Sequence, residues 1–408
     1  MSALYLPTVD DLKVLKLKNK SIYVKIELLD RNYLTLAELN GVTIDLSLSI
    51  DANSDIRRTL SLTMTVKDDS LLLEENRKIW FDRYIRVYVG YLNTLSPKQE
   101  VLWYNMGIYL FNQTSYSYDA STKNLSLSCS DLMSELTGAR NGAIPAMMMQ
   151  ISEGANIREV MIKALTQDYN SEGEGNTLLN RPYLIDDIGG EVNVTAGSPD
   201  PRKVPYDLKF NTGATRYQVI EKLRDLYPGW ETYFDVNGVF VCKRIPTCKD
   251  DAVALDDSIL SELVISEQLQ NSLEEVKNDI ILYGVQKKDN TQIEALCCDE
   301  NEESPFCIQK LGRITQVLSS GEYAKIATND LALQRAKYEL WKATRLNDGL
   351  QLQTITIPWL DVNQKIRYTP RITGKTEEWI IKSINHSVSS GTSSLELIKF
   401  YPLYPDIT

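Results

Sequence analysis

A mainly β chain with an α+β insertion is what this sequence predicts, and three observations carry the prediction. Apolar and polar residues alternate with a period of two across much of residues 1–140 and 251–408. Two capped helical patterns and a stretch rich in Gly, Pro and Asp lie between, at 141–250. The last region carries one long helical pattern among its strands. Strands at such short spacing predict a barrel or sandwich at each end of the chain.

Taken in order, the first strand runs from Ile22 to Leu28. Val42, Ile44, Leu46, Leu48 and Ile50 then share one face, as do Leu60, Leu62, Met64 and Val66. Ile85 to Val89 and Ile108 to Phe111 follow. In SYSYDASTKNLSLSCSD, residues 115–131, Leu125, Leu127 and Cys129 alternate with Ser126, Ser128 and Ser130, and Asp119 to Asn124 supplies turn residues. That hairpin has one dry face and one rich in hydroxyls.

In the middle third, Asn156 with Glu159 predicts a helix start, followed by Ile157, Val160, Met161, Ala164 and Leu165 at helical spacing. Residues 170–213 predict a long loop with a short strand or two. Thr215 with Gln218 opens a second helix carrying Val219, Ile220, Leu223 and Leu226, stopped by Pro228-Gly229. WETYFDVNGVFVCKRIP predicts a hairpin with a type I′ turn at Asn237-Gly238. Beyond residue 251, IILYGV (280–285) predicts a buried strand. Ser319 with Glu322 predicts a helix cap, the helix running to about Leu346 with Ile326, Leu333, Ala336, Leu340 and Ala343 on one face. TITIPW, KIRYTP, EWIIKSINHSV and SSLELIKFY are the closing strand candidates, with Pro358 and Pro370 at strand ends or edges.

The chemistry is sparse. The net charge of −11 argues against gripping nucleic acid by phosphate neutralisation, though it suits a wall that a polyanion slides past. No apolar run approaches the length of a membrane-spanning helix, and the N-terminal residues predict no signal peptide, hence cytoplasmic synthesis. Cys129, Cys242, Cys248, Cys297, Cys298 and Cys307 fit no standard zinc spacing, and unpaired thiols are expected. His386, the only histidine, reads as a surface or edge residue. Gly374-Lys375-Thr376 lacks the first glycine of a phosphate loop and joins two strands, so it reads as a hairpin turn. Gly189-Gly190 has no strand–helix context for a dinucleotide. The pairs Asp68-Asp69, Glu74-Glu75, Asp186-Asp187, Asp250-Asp251 and Glu302-Glu303 could serve a glycosidase in principle but sit in polar, loop-like runs. No catalytic, cofactor-binding or metal residue is assigned. Tyrosine (22) outnumbers phenylalanine (7), and strand tyrosines such as Tyr84, Tyr88 and Tyr91 suit either interfaces or simple strand preference.

The order of segments resembles the central baseplate hub proteins of phage tails and phage-tail-like particles, related to the late control protein D family. The N-terminal match is SIDANSDIRRTLSLTMTV, DRYIRVYVGY and MGIYLFNQTSYSYDASTKNLSLSCSDLMSELTG; the middle match is ATRYQVIEKLRDLYPGWETYFDVNGVFVCKRI. EVKNDIILYGV, AKYELWKATRL, IPWLDVNQKIRY and WIIKSINHSVSSGTSSLELI complete it. Relatives often have Gly-Asp where this chain has Val362-Asn363, which points to a turn there. The resemblance implies two tail-tube-like β-barrel domains, at 1–140 and 251–408, around an α+β domain at 141–250. It implies a non-enzymatic homotrimer that adapts a sixfold tail tube to a threefold central spike and lines the channel. The implied partners are the tail tube or distal tail protein, the trimeric spike and a tape measure protein, with no membrane and no specific nucleic-acid binding. The implied place is the tail baseplate, assembled in the bacterial host cytoplasm. Two rival readings remain: a tail-associated cell-wall hydrolase, and a receptor- or carbohydrate-binding tail module.

Overall fold

In the N-terminal region a short helix, α1 (Val9–Leu15), precedes seven strands. These are β1 (Ile22–Leu29), β2 (Thr35–Glu38), β3 (Val42–Asp51), β4 (Arg58–Thr65), β5 (Tyr84–Leu92), β6 (Val101–Asp119) and β7 (Thr122–Asp131). The structure, a computed structural model, describes residues 5, 7–39, 42–66, 69–75, 77–119, 121–140, 142–144, 149–166, 181–186, 202–227, 229–272, 276–286, 290–321, 323–344 and 347–402. Helix α1 has no counterpart in the sequence reading, being only two turns long. It is held by a capping box in which the Thr8 hydroxyl accepts from Asp11 N while the Asp11 carboxylate accepts from Thr8 N.

The middle region contributes β8 (Met149–Ile151), α2 (Ile157–Thr166), β9 (Tyr183–Ile185), β10 (Leu208–Phe210), α3 (Arg216–Arg224), β11 (Trp230–Phe234) and β12 (Phe240–Arg244). Both predicted helices form. Glu159 N donates to Asn156 Oδ1 at 3.1 Å, and the Thr215–Gln218 capping box is complete. Pro228, Glu322, Gly189-Gly190 and much of the predicted loop lie outside the described residues. The β11–β12 turn differs from the type I′ expectation. Gly238 has φ 80 but Asn237 does not share a positive φ, because the Asp235 carboxylate accepts from both Asn237 N and Val239 N and draws the turn into a longer loop.

The C-terminal region holds β13 (Val253–Leu255), α4 (Asp257–Leu263), β14 (Val264–Ser272), β15 (Asp279–Gln286), β16 (Gln292–Cys298), α5 (Ile308–Leu311), β17 (Thr315–Leu318), α6 (Asn329–Ala343), β18 (Asn347–Ile355), β19 (Lys365–Tyr368), β20 (Glu377–Ser387) and β21 (Thr392–Lys399). Strands β14 and β18 pair with each other although residues 276–344 lie between them in sequence. That intervening segment forms its own sheet, ordered β16-β15-β17, with α6 packed on it and a separate small core around Ile280, Leu282, Ala336 and Leu340.

Two sequence expectations shift here. Helix α6 begins after Thr328, whose hydroxyl accepts from Leu331 N, and not after Ser319. The chain before it is committed to β15, since Val285 N donates to Ile326 O at 2.8 Å. Leu333 also points outward at 38% exposure, while Ala332 joins Ala336 and Leu340 inside. The strand read as TITIPW runs from Asn347 and stops at Ile355, with Leu350 and Leu352 buried and Gln351 and Gln353 exposed.

The main sheet has 13 strands and unites both ends of the chain. Its central path runs β14-β18-β21-β20-β3-β4-β7-β6, every neighbouring pair antiparallel, and continues through β5, β1 and β2. The two ends meet where β20 pairs with β3, in register Ser383↔Asp51, Asn385↔Ser49 and Ser387↔Ser47. Bulges bend the sheet at Phe111/Gln113 in β6 and Ile381/Ser383 in β20. Before each bend the strand pairs elsewhere, β6 with β5 and β20 with β19. Apolar residues of these returning strands, such as Val87, Val89 and Ile366, share one core with Leu62, Leu127, Leu352 and Leu395 of the central path. The architecture is mainly β, with α+β material between its two strand-rich ends.

Candidate functional surface

The central eight strands form a wall with one wet and one dry face. One row across it reads Ser266, Gln353, Ser394, Asn385, Ser49 and Thr59 in successive strands and ends on Ser130, which is buried. The next rows hold Gln268, Gln351, Glu396, Ser383 and Asp51 on one side, and Thr392, Ser387, Ser47, Ser61, Ser128 and Gln113 on the other. Asp45, Thr63, Ser126 and Ser115 follow. These positions carry hydroxyls, amides and the carboxylates of Asp45, Asp51 and Glu396; none is Lys or Arg. The hydroxyls bond across strands, as Thr63 Oγ1 to Ser126 Oγ at 3.1 Å and Ser383 Oγ to Glu396 Oε2 at 3.1 Å. Such a face is wettable, weakly acidic and offers a polyanion no cation to bind.

On the dry face Leu46, Leu48, Leu60, Leu62, Leu125, Leu127, Leu350 and Leu395 are buried. Ile44 departs from its expected place there: a bulge between Thr43 and Asp45 turns it outward, to 49% exposure. His386 departs the other way. It lies mid-sheet between Leu48 of β3 and Ser393 of β21, buried at 2% exposure, with Nδ1 2.7 Å from Ser393 Oγ. Burial pushes its pKa down to about 4, so it is a neutral core group.

Behind the wall, a buried polar seam ties in the α+β insertion. Arg57 pairs with Glu231 of β11, both 5% exposed, and stacks 3.8 Å from the Tyr233 ring centroid. Arg58 binds the Asp361 carboxylate and donates to Phe234 O at 2.6 Å, while its own N–H donates to Asp131 Oδ2 at 2.9 Å. Burial would raise the Asp361 pKa, but Arg58 and Arg57 outweigh it and hold it below the usual carboxylate range. Burial dominates at Asp131, which is raised to about 6. Asn363 has φ 57, the left-handed conformation that asparagine tolerates, and its Nδ2 donates to Glu231 Oε2 at 2.7 Å. The Val362-Asn363 pair therefore does shape a turn. A second tie joins Arg181, Glu135 and the Tyr84 hydroxyl.

The strand tyrosines divide accordingly. Tyr84 and Tyr91 are buried, the Tyr91 hydroxyl donating to Thr356 O at 2.8 Å, so they are core anchors; Tyr88 is half-buried. Gly374 lies in the turn between β19 and β20 at φ 64. The six cysteines are free thiols, and Cys297 and Cys298, as neighbours on β16, point to opposite faces. Among the described residues no group of three His, Cys, Asp or Glu side chains is placed to hold a metal, and no helix is long and apolar enough to cross a membrane. Of the carboxylate pairs, Asp68 and Asp187 lie outside the described residues; Asp251 accepts from Thr247 N and Cys248 N in a turn.

The chain presents an extended polar wall backed by an apolar core, with α+β insertions on it. Three solved structures share this fold across nearly the whole chain. The 43 kDa tail protein of prophage MuSo2 from Shewanella oneidensis matches with TM-score 0.58 at 15% identity, over 93% of this chain and 98% of that one. The tail protein from Neisseria meningitidis MC58 matches with TM-score 0.58 at 10% identity, over 94% and 99%. Prophage tail protein gp18 from Listeria monocytogenes EGD-e matches with TM-score 0.57 at 13% identity, over 92% and 94%. Residues 303–404 match DUF5048, a domain family of unknown function. No curated protein matches the sequence.

Proposed function

We infer that this chain is a structural hub of a phage tail or phage-tail-like particle. Three copies form a ring that lines the central channel and joins a sixfold tube to a threefold spike. The observation that carries the reading is the wall itself, which is built twice. Strands β14, β18, β21 and β20 repeat the order of β3, β4, β7 and β6, and the bulges recur, at Val264/Ser266 as at Thr43/Asp45 and at Ile381/Ser383 as at Phe111/Gln113. A chain with two like halves gives a threefold ring six like segments, which is what a sixfold neighbour needs. Matching across that step is an interface task, and no catalytic residue is called for.

The wet face would line the channel, where hydroxyls and three carboxylates let a polyanion pass without capture. The tube or distal tail protein would sit on one side, the spike on the other, and the tape measure protein within. The division at 1–140, 141–250 and 251–408, assembly in the host cytoplasm and residence in the baseplate belong to the same proposal. Imaging of the assembled particle tests it: three copies around the axis are expected, and six, one or a peripheral position overturn it. Cell-wall turnover by the purified chain would establish the hydrolase instead, and binding to host cells in isolation the receptor module.

A further inference from the structure

We propose that Tyr5 and residues 7–16 form a strap that locks the two halves of the wall at one angle, and that it opens as a unit while the rest of the chain stays folded. The ring reading gives such a strap a use, since the angle between the halves sets the bore of a ring built from them.

The strap touches both halves. The Asp11 carboxylate accepts from the Tyr104 hydroxyl of β6, in the first half, at 2.5 Å. Tyr5 stacks on Trp359 of the second half, with ring centroids 5.7 Å apart and planes at 29°. Lys16 pairs with Glu262 of α4, also in the second half, at 2.8 Å. Val14 and Leu15 enter the core that both halves share. The β20–β3 joint already ties the halves within the wall, so the strap is a second tie behind the first.

The polar ties of the strap converge on one group. Asp11, 4% exposed, also accepts from the Tyr5 hydroxyl at 2.9 Å, Thr8 N at 2.7 Å and the Thr8 hydroxyl at 2.8 Å. A buried carboxylate held by hydroxyl and amide donors depends on all of them, so losing one weakens the rest. The remainder of the segment is lightly held. Val9, Asp10 and Lys13 are exposed, and two turns of helix do not persist without a surface to pack on. Strand β1 starts only at Ile22 and pairs with β5 along its whole length, so the sheet does not need the strap. A segment with few buried contacts and one polar lock opens at a lower free energy than the whole fold. The core between the halves is apolar, and non-directional burial tolerates a small change of angle once the lock is gone.

The test uses the isolated full chain, so the copy number seen in particles tests the ring and leaves the strap untouched. The chain carries Ser in place of Cys248, Cys297 and Cys298, and spin labels on Ser61→Cys of β4 and Gln351→Cys of β18, both exposed, report the distance between the halves. Asp11→Asn keeps the shape of the side chain and turns one acceptor into a donor. It should broaden or shift the distance distribution, and speed amide exchange in 9–16 on the order of tenfold or more, with β3, β4, β20 and β21 unchanged. Tyr104→Phe, which removes only the bond from the first half, should do the same more weakly. Faster strap exchange with an unchanged distance distribution makes the segment a fraying terminus and overturns the lock. Faster exchange in the wall strands as well makes Asp11 a support of the whole fold and overturns the separate opening. Should Asp11→Asn fail to fold, the unsubstituted chain decides: strap amides should exchange well before wall amides and with little dependence on denaturant, and exchange of both together overturns the proposal.

Discussion

The dry face of the wall and the polar seam behind it support the same strands with opposite chemistry. The dry face is aliphatic, and its residues are close neighbours in a simple alternation, as Leu60, Leu62 and Met64 are in β4. The seam is charged and joins residues far apart in the chain: Arg57 to Glu231, and Arg58 to Asp361 and Phe234 O. Apolar burial is non-directional and tolerates sliding, whereas paired buried charges fix one arrangement of insertion against wall. The comparison assigns bulk stability to the first region and relative placement to the second.

Breaking the seam should therefore have the largest effect. Arg58→Ala leaves Asp361 and the Phe234 carbonyl without their buried partner, and should cost about 3–5 kcal/mol in denaturant unfolding. Arg58→Met with Asp361→Leu should recover much of that loss while loosening the insertion, seen as faster amide exchange in β11 and β12. Recovery of stability with unchanged exchange would deny the seam its placing role. Next, Leu62→Ala on the dry face should cost about 3 kcal/mol by the cavity it leaves, without changing exchange in the insertion selectively.

The contrast also marks where the sequence could be read. Alternation exposes β3, β4 and β7 of the wall, whose dry residues are aliphatic, whereas β14 goes unread and β18 is read only from Thr354 onward; the Thr215–Gln218 box marks α3 because the cap is local. The bulges were not legible: nothing in VTIDLSLSI shows that Ile44 turns outward. The seam was not legible either, since no local pattern tells Arg57 and Arg58 from surface cations. His386 misled for the same reason. Its polar neighbours Asn385 and Ser387 imply a surface strand, but they occupy the wet row, and its own direction is set by pairing with β3, a strand from the other end of the chain.

His386 gives a third, pH-dependent effect. Its folded pKa, about 4, lies below the ordinary value of 6.5, so the native state prefers the neutral ring. That contribution is complete above pH 6.5 and is lost as pH falls from 6.5 towards 4, by at most about 3 kcal/mol. Asp131 acts oppositely: its raised pKa makes its contribution fall as pH rises from 3.8 to about 6. The difference between wild type and His386→Gln cancels Asp131 and should show the histidine slope alone. Equal slopes would mean that His386 is charged or solvated in the folded chain.

The smallest expected effect lies on the wet face, and it sharpens the comparison most. Ser61 is exposed at the centre of the wall, opposite Ser47 and Ser128. Its side chain buries no apolar area, so Ser61→Ala should change stability by no more than about 0.5 kcal/mol. Ser61→Lys should be nearly as mild in the isolated chain, because the long side chain can reach water. If the wet face lines a ring of three copies, as proposed, the same lysine would place three cations around the channel, where the native rows offer none. Particles that carry a polyanion should then release it more slowly at low salt, with the difference fading as salt screens the charges. A Ser61→Lys chain that unfolds would make the hydroxyl face a folding requirement; one that folds and transports without salt dependence would remove this face from the channel.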